Sequence, residues 1–281
     1  MYNVEMMKTE AWFRRLAWRI APGVMQRRYV RREYVAIAKA DACERGLWFM
    51  NEGYAPVDET ERQPAIDKAD EPFVHHMRLY WQLASAVPMQ DKDVLEVGCG
   101  RGGGSYFLTK YMSPATMTGV DLSERNVALA SAALPLANVS FRRGNAESLA
   151  FADSRFHVVV NIESSHLYPH PERFFREVHR VLRPRGHFLL ADLGSSARMV
   201  HLPDQLRDAG FDICLARNIT ANVIKSIEMD QARRENVLRA IARDEQDFRR
   251  LADWGRMVGT QGYRAYCNGQ DEYWSFVLQR R

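Results

Sequence analysis

The stretch DVLEVGCGRGGGSYFL, residues 93–108, decides how this chain is read. An apolar run of strand character meets a cluster of glycines and then the first turn of a helix. Glycines 98, 100 and 103 satisfy G-x-G-x-x-G, and an acid, Asp121, follows about 20 residues on, as the dinucleotide pattern asks. On spacing alone the ligand is NAD. The turn's function is common to several ligands: glycine tolerates φ > 0 and close approach, and the helix behind it presents free N–H groups. One residue separates the readings. Glu96 stands two places before the first glycine, giving E-x-G-x-G. A carboxylate beside a pyrophosphate costs Coulomb energy. Beside a ligand carrying an ammonium and a sulfonium it costs nothing, which favours S-adenosylmethionine (SAM).

Outward from that stretch, 91–195 alternates strand and helix. DVLEVG, ATMTGVDL, NVSFRRG, FHVVVNI and GHFLLADL read as strands, with helices at 103–111, 123–134 and 171–182 between them. Such alternation implies a mostly parallel sheet with helices on both faces, crossovers of right hand, and ligands outside the carboxyl ends of the strands. Before it, AWFRRLAWRI and MQRRYVRREYVAIAKADACERG are helical and basic. A polar loop, NEGYAPVDETERQPAIDKADEP, then leads to a helix in FVHHMRLYWQLASAV. After it, FDICLARN and EYWSFVLQR read as strands. They flank a long amphipathic stretch, ANVIKSIEMDQARRENVLRAIARDEQDFRRLADW, broken at most once. The expected organisation is a helical cap over 1–90 and a ligand-binding domain over 91–281, with a helical lid inserted at about 218–255.

The 281 residues carry a net charge of +4, too little to argue for nucleic acid. No N-P-P-[YF] sequence follows the fourth strand, only NIES. Four cysteines, at 43, 99, 214 and 267, show no paired spacing for a disulfide framework or a zinc site. His75 and His76 lack a third metal-type partner at metal spacing, so no metal is expected. No run of about 18 apolar residues offers a membrane span. The N-terminus lacks the apolar core and cleavage site of a signal peptide, and free thiols without an export signal suggest a cytoplasmic protein. The basic, aromatic N-terminus fits a cap over the site, a peripheral contact with an anionic membrane, or a grip on a phosphorylated or carrier-tethered substrate. The oligomeric state is open.

Four motifs follow in order: VLEVGCGRGGG, GVDLS, GNAESLAFADSRFHVVVN and FFREVHRVLRPRGHFLLADL. Together they resemble the class I SAM-dependent methyltransferases. The resemblance implies a Rossmann-like fold with a seven-stranded, mostly parallel sheet, helices on both faces and helical lid additions. It implies SAM as cofactor and S-adenosylhomocysteine (SAH) as product. In that family Asp121 would accept from both ribose hydroxyls, with Leu122 beside it. Gly98, Cys99, Gly100 and Gly102 would flank the methionine part with Glu96. Asn145, Ala146 and Glu147 would lie by the adenine, although the family usually has Asp where this chain has Asn145. Asn161, Ile162 and Glu163 would end the fourth strand facing the cofactor. From about residue 46 to the end, GLWFMNEGYAP, PFVHHMRLY, NIESSHLYPH and GTQGYRAYCNGQDEYWSFVL resemble the phthiotriol/phenolphthiotriol dimycocerosate O-methyltransferases. That implies a hydroxyl of a small molecule, lipid or polyketide in type, as acceptor.

An alcohol's pKa, roughly 16, lies about 9 units above a histidine at ~6.5. Full deprotonation beforehand would cost about 12 kcal/mol, so a base must accept the proton as the C–O bond forms, for ~10²–10⁴-fold. In sugar methyltransferases with a similar E-S-x-H segment the histidine is that base and an aspartate ending the next strand assists it. The matching residues here are His166 and Asp192. His166 reads alternatively as a lining residue of either cavity, and His170, before Pro171, as the cap of the following helix. Tyr54, His75, Tyr80, Tyr168 and Tyr263 are the candidate substrate contacts. A carbon or nitrogen acceptor would need less of a base. An NAD-dependent oxidoreductase and a non-catalytic SAM-binding protein are the remaining alternatives.

Overall fold

The computed structural model describes residues 47–281; the basic N-terminal stretch and Cys43 lie outside it. A 3₁₀ turn, Lys68–Phe73, leads into α1 (Val74–Ala84). The sheet domain follows as β1 (Asp93–Val97), α2 (Gly103–Met112), β2 (Thr116–Asp121), α3 (Glu124–Ala133), β3 (Val139–Arg143), β4 (Phe156–Ile162), α4 (Pro171–Val181) and β5 (Leu182–Ser195). It continues with α5 (Ser196–Asp208), β6 (Phe211–Asn218), four helices and β7 (Asp271–Arg280). The four helices are α6 (Thr220–Met229), α7 (Gln231–Ile241), α8 (Glu245–Trp254) and α9 (Gln261–Cys267).

The seven strands lie in the order β3-β2-β1-β4-β5-β7-β6. All neighbours run parallel except β7, which is antiparallel to both β5 and β6. This is the Rossmann-like sheet that the strand–helix alternation predicts. Period-two alternation assigns each strand's side chains to one core or the other. Val94, Val160 and Leu189 pack with α1, whereas Leu95, Val159 and Leu190 pack with Phe174, Phe175 and Val178 of α4. The chain leaves β1 toward β2 and β3 on one side, and β4 toward β5 on the other. The direction of winding therefore reverses between β1 and β4, and a crevice opens at their carboxyl ends.

Two readings need correction. The stretch taken as one helix broken at most once is three helices. Asp230 leaves helical geometry between α6 and α7, and extended backbone at Ala242 and Asp244 separates α7 from α8. The strand read as GHFLLADL is the core of a longer one, Leu182–Ser195, which starts directly from α4.

Candidate active site

A cavity of about 130 Å³ occupies the crevice. Its floor is the turn after β1, where Gly98, Gly100 and Gly102 have φ of +75°, +51° and +84°, a region other residues enter only with strain. The turn is tied to β2 on two levels. Gly98 and Cys99 N–H donate to Val120 O at 2.7 and 3.0 Å, and Gly100 N–H donates to Asp121 Oδ2 at 3.0 Å. Asp121 Oδ1 accepts from Ser123 N–H at 2.8 Å, and burial pushes this carboxyl up from its usual range. Leu122, Asn145, Ala146, Glu147, Ile162, Glu163 and Tyr168 complete the walls. Asn145 Oδ1 turns back to accept from Glu147 N–H at 3.1 Å, and Glu147 Oε1 accepts from His170 N–H at 3.0 Å. His170 holds the N-cap position of α4, yet its side chain makes no capping bond; its backbone makes the contact instead.

The charges choose between ligands. Among the described lining residues Asp121, Glu147 and Glu163 are acids and Arg101 is the one strong cation. Asp121 and Glu147 outnumber that cation even with Glu163 uncharged, so the wall suits hydroxyls and a sulfonium or ammonium and opposes a pyrophosphate. The residues present thus fit SAM.

Glu96 lies behind this wall. It is 1% exposed and absent from the cavity lining, and accepts from Tyr80 O–H and Ser105 O–H, each at 2.6 Å. Gly104 makes room for that triad, since a Cβ there would sit 2.0 Å from Tyr80 Oη and 2.2 Å from Glu96 Oε1. Burial pushes Glu96 up to about 7, against the two hydroxyl donors. A folded-state value above the unfolded one stabilises the fold at low pH, and the contribution is lost as pH rises toward 7. Glu96→Gln therefore gains stability relative to wild type between pH 4.5 and 7, by up to about 3 kcal/mol. Paired thermal melts across that range check it; a pH-independent difference refutes it. Gly102 and Asn161 also stand off the cavity wall. Asn161 Nδ2 donates to Val97 O at 2.8 Å and to Tyr168 Oη at 3.2 Å, stitching β4 to β1.

A second cavity, about 250 Å³, adjoins the first and shares Phe49, Met50, Asn51, Glu163 and Leu167 with it. Its remaining walls include His166, Leu193, His76 and, from the inserted helices and the turn after α8, Arg233, Arg234, Val237, Leu238, Trp254 and Arg256. His166 stands in a 3₁₀ turn, Ser165–Leu167, just past β4. Its Nδ1 is 2.6 Å from Oδ1 of Asp192, a wholly buried residue of β5. Asp192 also accepts from Ser165 O–H, from Arg198 Nη2 at 3.2 Å and from Leu193 N–H at 3.0 Å. Burial opposes its charge, but His166, Arg198 and Ser165 outweigh burial and hold the carboxyl at about 2. An ionised Asp192 fixes the proton on Nδ1, which leaves the Nε2 lone pair available.

The substrate contacts expected from sequence are placed otherwise. Tyr80 and Tyr168 line the first cavity, and Tyr54, His75 and Tyr263 line neither. Tyr54 O–H donates to Glu61 and Tyr263 O–H to Glu228, so both phenols are engaged away from the two cavities. His76, the neighbour of His75, is buried, 4% exposed, and burial drives it down to about 4. The sequence reading missed the strap at 47–52 and the arginines of α7. Their one signal was the GLWFMNEGYAP resemblance, which named the segment without a role. No described group of His, Cys, Asp and Glu is arranged to hold a metal, and no described helix is long and apolar enough to cross a membrane.

A family model described as a methyltransferase domain matches residues 95–190. The phthiotriol/phenolphthiotriol dimycocerosates methyltransferase 1 of Mycobacterium ulcerans is 37% identical over 236 residues, covering 79% of this chain and 83% of that protein. A fatty-acid O-methyltransferase of Mycolicibacterium smegmatis is 32% identical over 267 residues, covering 90% and 93%. Among solved structures, the [4+2]-cyclase SpnF has a TM-score of 0.70 at 20% identity, covering 89% of this chain and 94% of its own. The geranyl diphosphate C-methyltransferase of Streptomyces coelicolor, solved with SAH, gives 0.62 at 15% identity over 91% and 98%. At such identities the structures speak for the fold. Fold, carboxyl-rich crevice and matched domain together define a class I SAM-dependent methyltransferase. The chain belongs to the family of the phthiotriol/phenolphthiotriol dimycocerosates methyltransferases.

Proposed function

We propose that the enzyme methylates a hydroxyl oxygen of a lipid- or polyketide-like alcohol, with His166 as general base and Asp192 as the group that orients it. The observation that carries this reading is the 2.6 Å contact of His166 with wholly buried Asp192, on the wall of the cavity next to the cofactor crevice. SAM supplies an activated methyl group. The protein's part is to align the acceptor, worth ~7–11 kcal/mol where geometry is right, and to take the hydroxyl proton. Nε2 of His166 accepts that proton as the new bond forms, and buried Asp192 stabilises the resulting imidazolium. Leu47, Leu193, Val237, Leu238 and Trp254 give the acceptor cavity an apolar surface suited to an aliphatic chain. The names of the mycobacterial relatives support a lipid-like acceptor.

The test incubates the protein with isotopically labelled SAM and long-chain secondary alcohols, fatty acids and amines, and locates the label by fragmentation mass spectrometry. An ether product is expected. Label confined to an ester, an amine or a carbon overturns the assignment of a hydroxyl.

A further inference from the structure

Glu163 directly follows β4 at φ +50°, in the left-handed region, which a residue with a side chain enters only when its surroundings hold it there. Its carboxyl group stands where the two cavities meet and lines both. One oxygen is fully engaged: Oε1 accepts from Glu52 N–H at 2.5 Å and from Tyr273 O–H at 2.8 Å. Oε2 has no hydrogen-bond partner among the described residues. Burial, and then the neighbouring Glu52, push this acid well above the usual carboxyl range, which favours its protonated form. Both donors point at Oε1, so the proton belongs on Oε2. The residue expected from sequence to face the cofactor thus presents Oε2 at the junction of the two cavities, three residues from His166.

We propose that Glu163 determines acceptor specificity: Oε2–H donates a hydrogen bond to a second oxygen of the acceptor, a carbonyl or hydroxyl near the methylated hydroxyl, while His166 receives the methylated hydroxyl itself. This rests on the hydroxyl reading above and narrows it, from any alcohol to one with a neighbouring oxygen. An acceptor with a lone hydroxyl leaves a buried donor unpaired and binds at least about tenfold more weakly. Tyr273 and the strap residue Glu52 position the carboxyl through Oε1.

The probes are methyl 3-hydroxydecanoate, which has both oxygens, and 3-decanol, which lacks the carbonyl. Each is titrated calorimetrically into the SAH complex. Wild type is expected to favour the ester by about tenfold or more. Glu163→Gln keeps the preference, because its amide oxygen still accepts from Glu52 and Tyr273 while the NH₂ donates. Glu163→Leu loses it; because Glu163 also lines the cofactor crevice, SAH is held at saturation for each variant by its own measured affinity. Equal binding of the two probes, binding of neither, or a Gln variant without the preference overturns the proposal, and these outcomes decide it even where the Leu variant does not fold. The hydroxyl reading fails separately: wild type that shows the preference yet yields no methyl ether with labelled SAM sinks that reading and leaves the Glu163 contact standing.

Discussion

Replacing His166 by alanine is expected to lower kcat by about 10²–10⁴-fold, the range of a lost general base, with SAH affinity unchanged. The split follows from placement. His166 lines the acceptor cavity and is absent from the walls of the cofactor crevice, so its removal leaves Asp121 and the glycine turn untouched. Asp192→Asn is the companion variant. An amide there can present N–H to Nδ1, which drives the imidazole proton to Nε2 and removes the lone pair that would accept from the substrate. The two variants should therefore fall by comparable factors, and the double variant little further, because residues acting as one unit are not additive. Single-turnover rates with saturating SAM and isothermal titration with SAH read the two quantities. A His166→Ala enzyme with wild-type kcat excludes His166 from proton transfer.

The parts of the site that sequence made legible share one property: each is fixed by local backbone geometry. The glycine turn requires φ > 0 at 98, 100 and 102, Asp121 ends a strand, and His166 follows one, so chain order alone brings all three to the same edge of the sheet. Asp192 is legible for the same reason, one strand over. What stayed hidden depends on contacts between distant segments. Glu96 looked like a ligand contact from its place in the motif, but Tyr80, sixteen residues earlier in α1, covers it. The upward push on Glu163 comes from burial and then from the carboxylate of Glu52, 111 residues away. The acceptor cavity is closed by α7 and α8, whose periodicity reports an amphipathic face without saying what that face covers. The break at Asp230 has no glycine or proline to mark it, and the long-range contact there, with His76 of α1, leaves no trace in the local sequence.

That break supplies the second large effect: Asp230→Ala should destabilise the fold by about 3 kcal/mol, with a fall in Tm of roughly 6–12 °C. Asp230 is 8% exposed and sits amid cations. It accepts from Arg233 Nε at 2.8 Å and Nη2 at 2.5 Å, with Arg234 Nε at 3.4 Å and His76 Nε2 at 3.5 Å. Burial works against its charge, yet His76 and Arg233 hold the carboxyl below its usual range. Removing it leaves two arginines facing a buried histidine with no counter-charge at that point, and an uncompensated buried charge is expensive. The damage reaches the acceptor cavity, because the same helices clamp the strap: Arg234 Nη2 donates to Glu52 O at 2.5 Å, and Ser226 O–H to the same oxygen at 3.1 Å. Loss of Asp230 frees Arg234 to move, and Glu52 N–H is one of the two donors that fix Glu163. The acceptor KM should therefore rise along with the fall in Tm. Asp204→Ala is the control. Asp204 pairs with Arg207 at 2.8 Å on the exposed face of α5, where such pairs contribute about 0–1 kcal/mol. Thermal melts of both variants with and without SAH check the prediction, and equal Tm shifts for the two would show that the Asp230 cluster does not hold the lid.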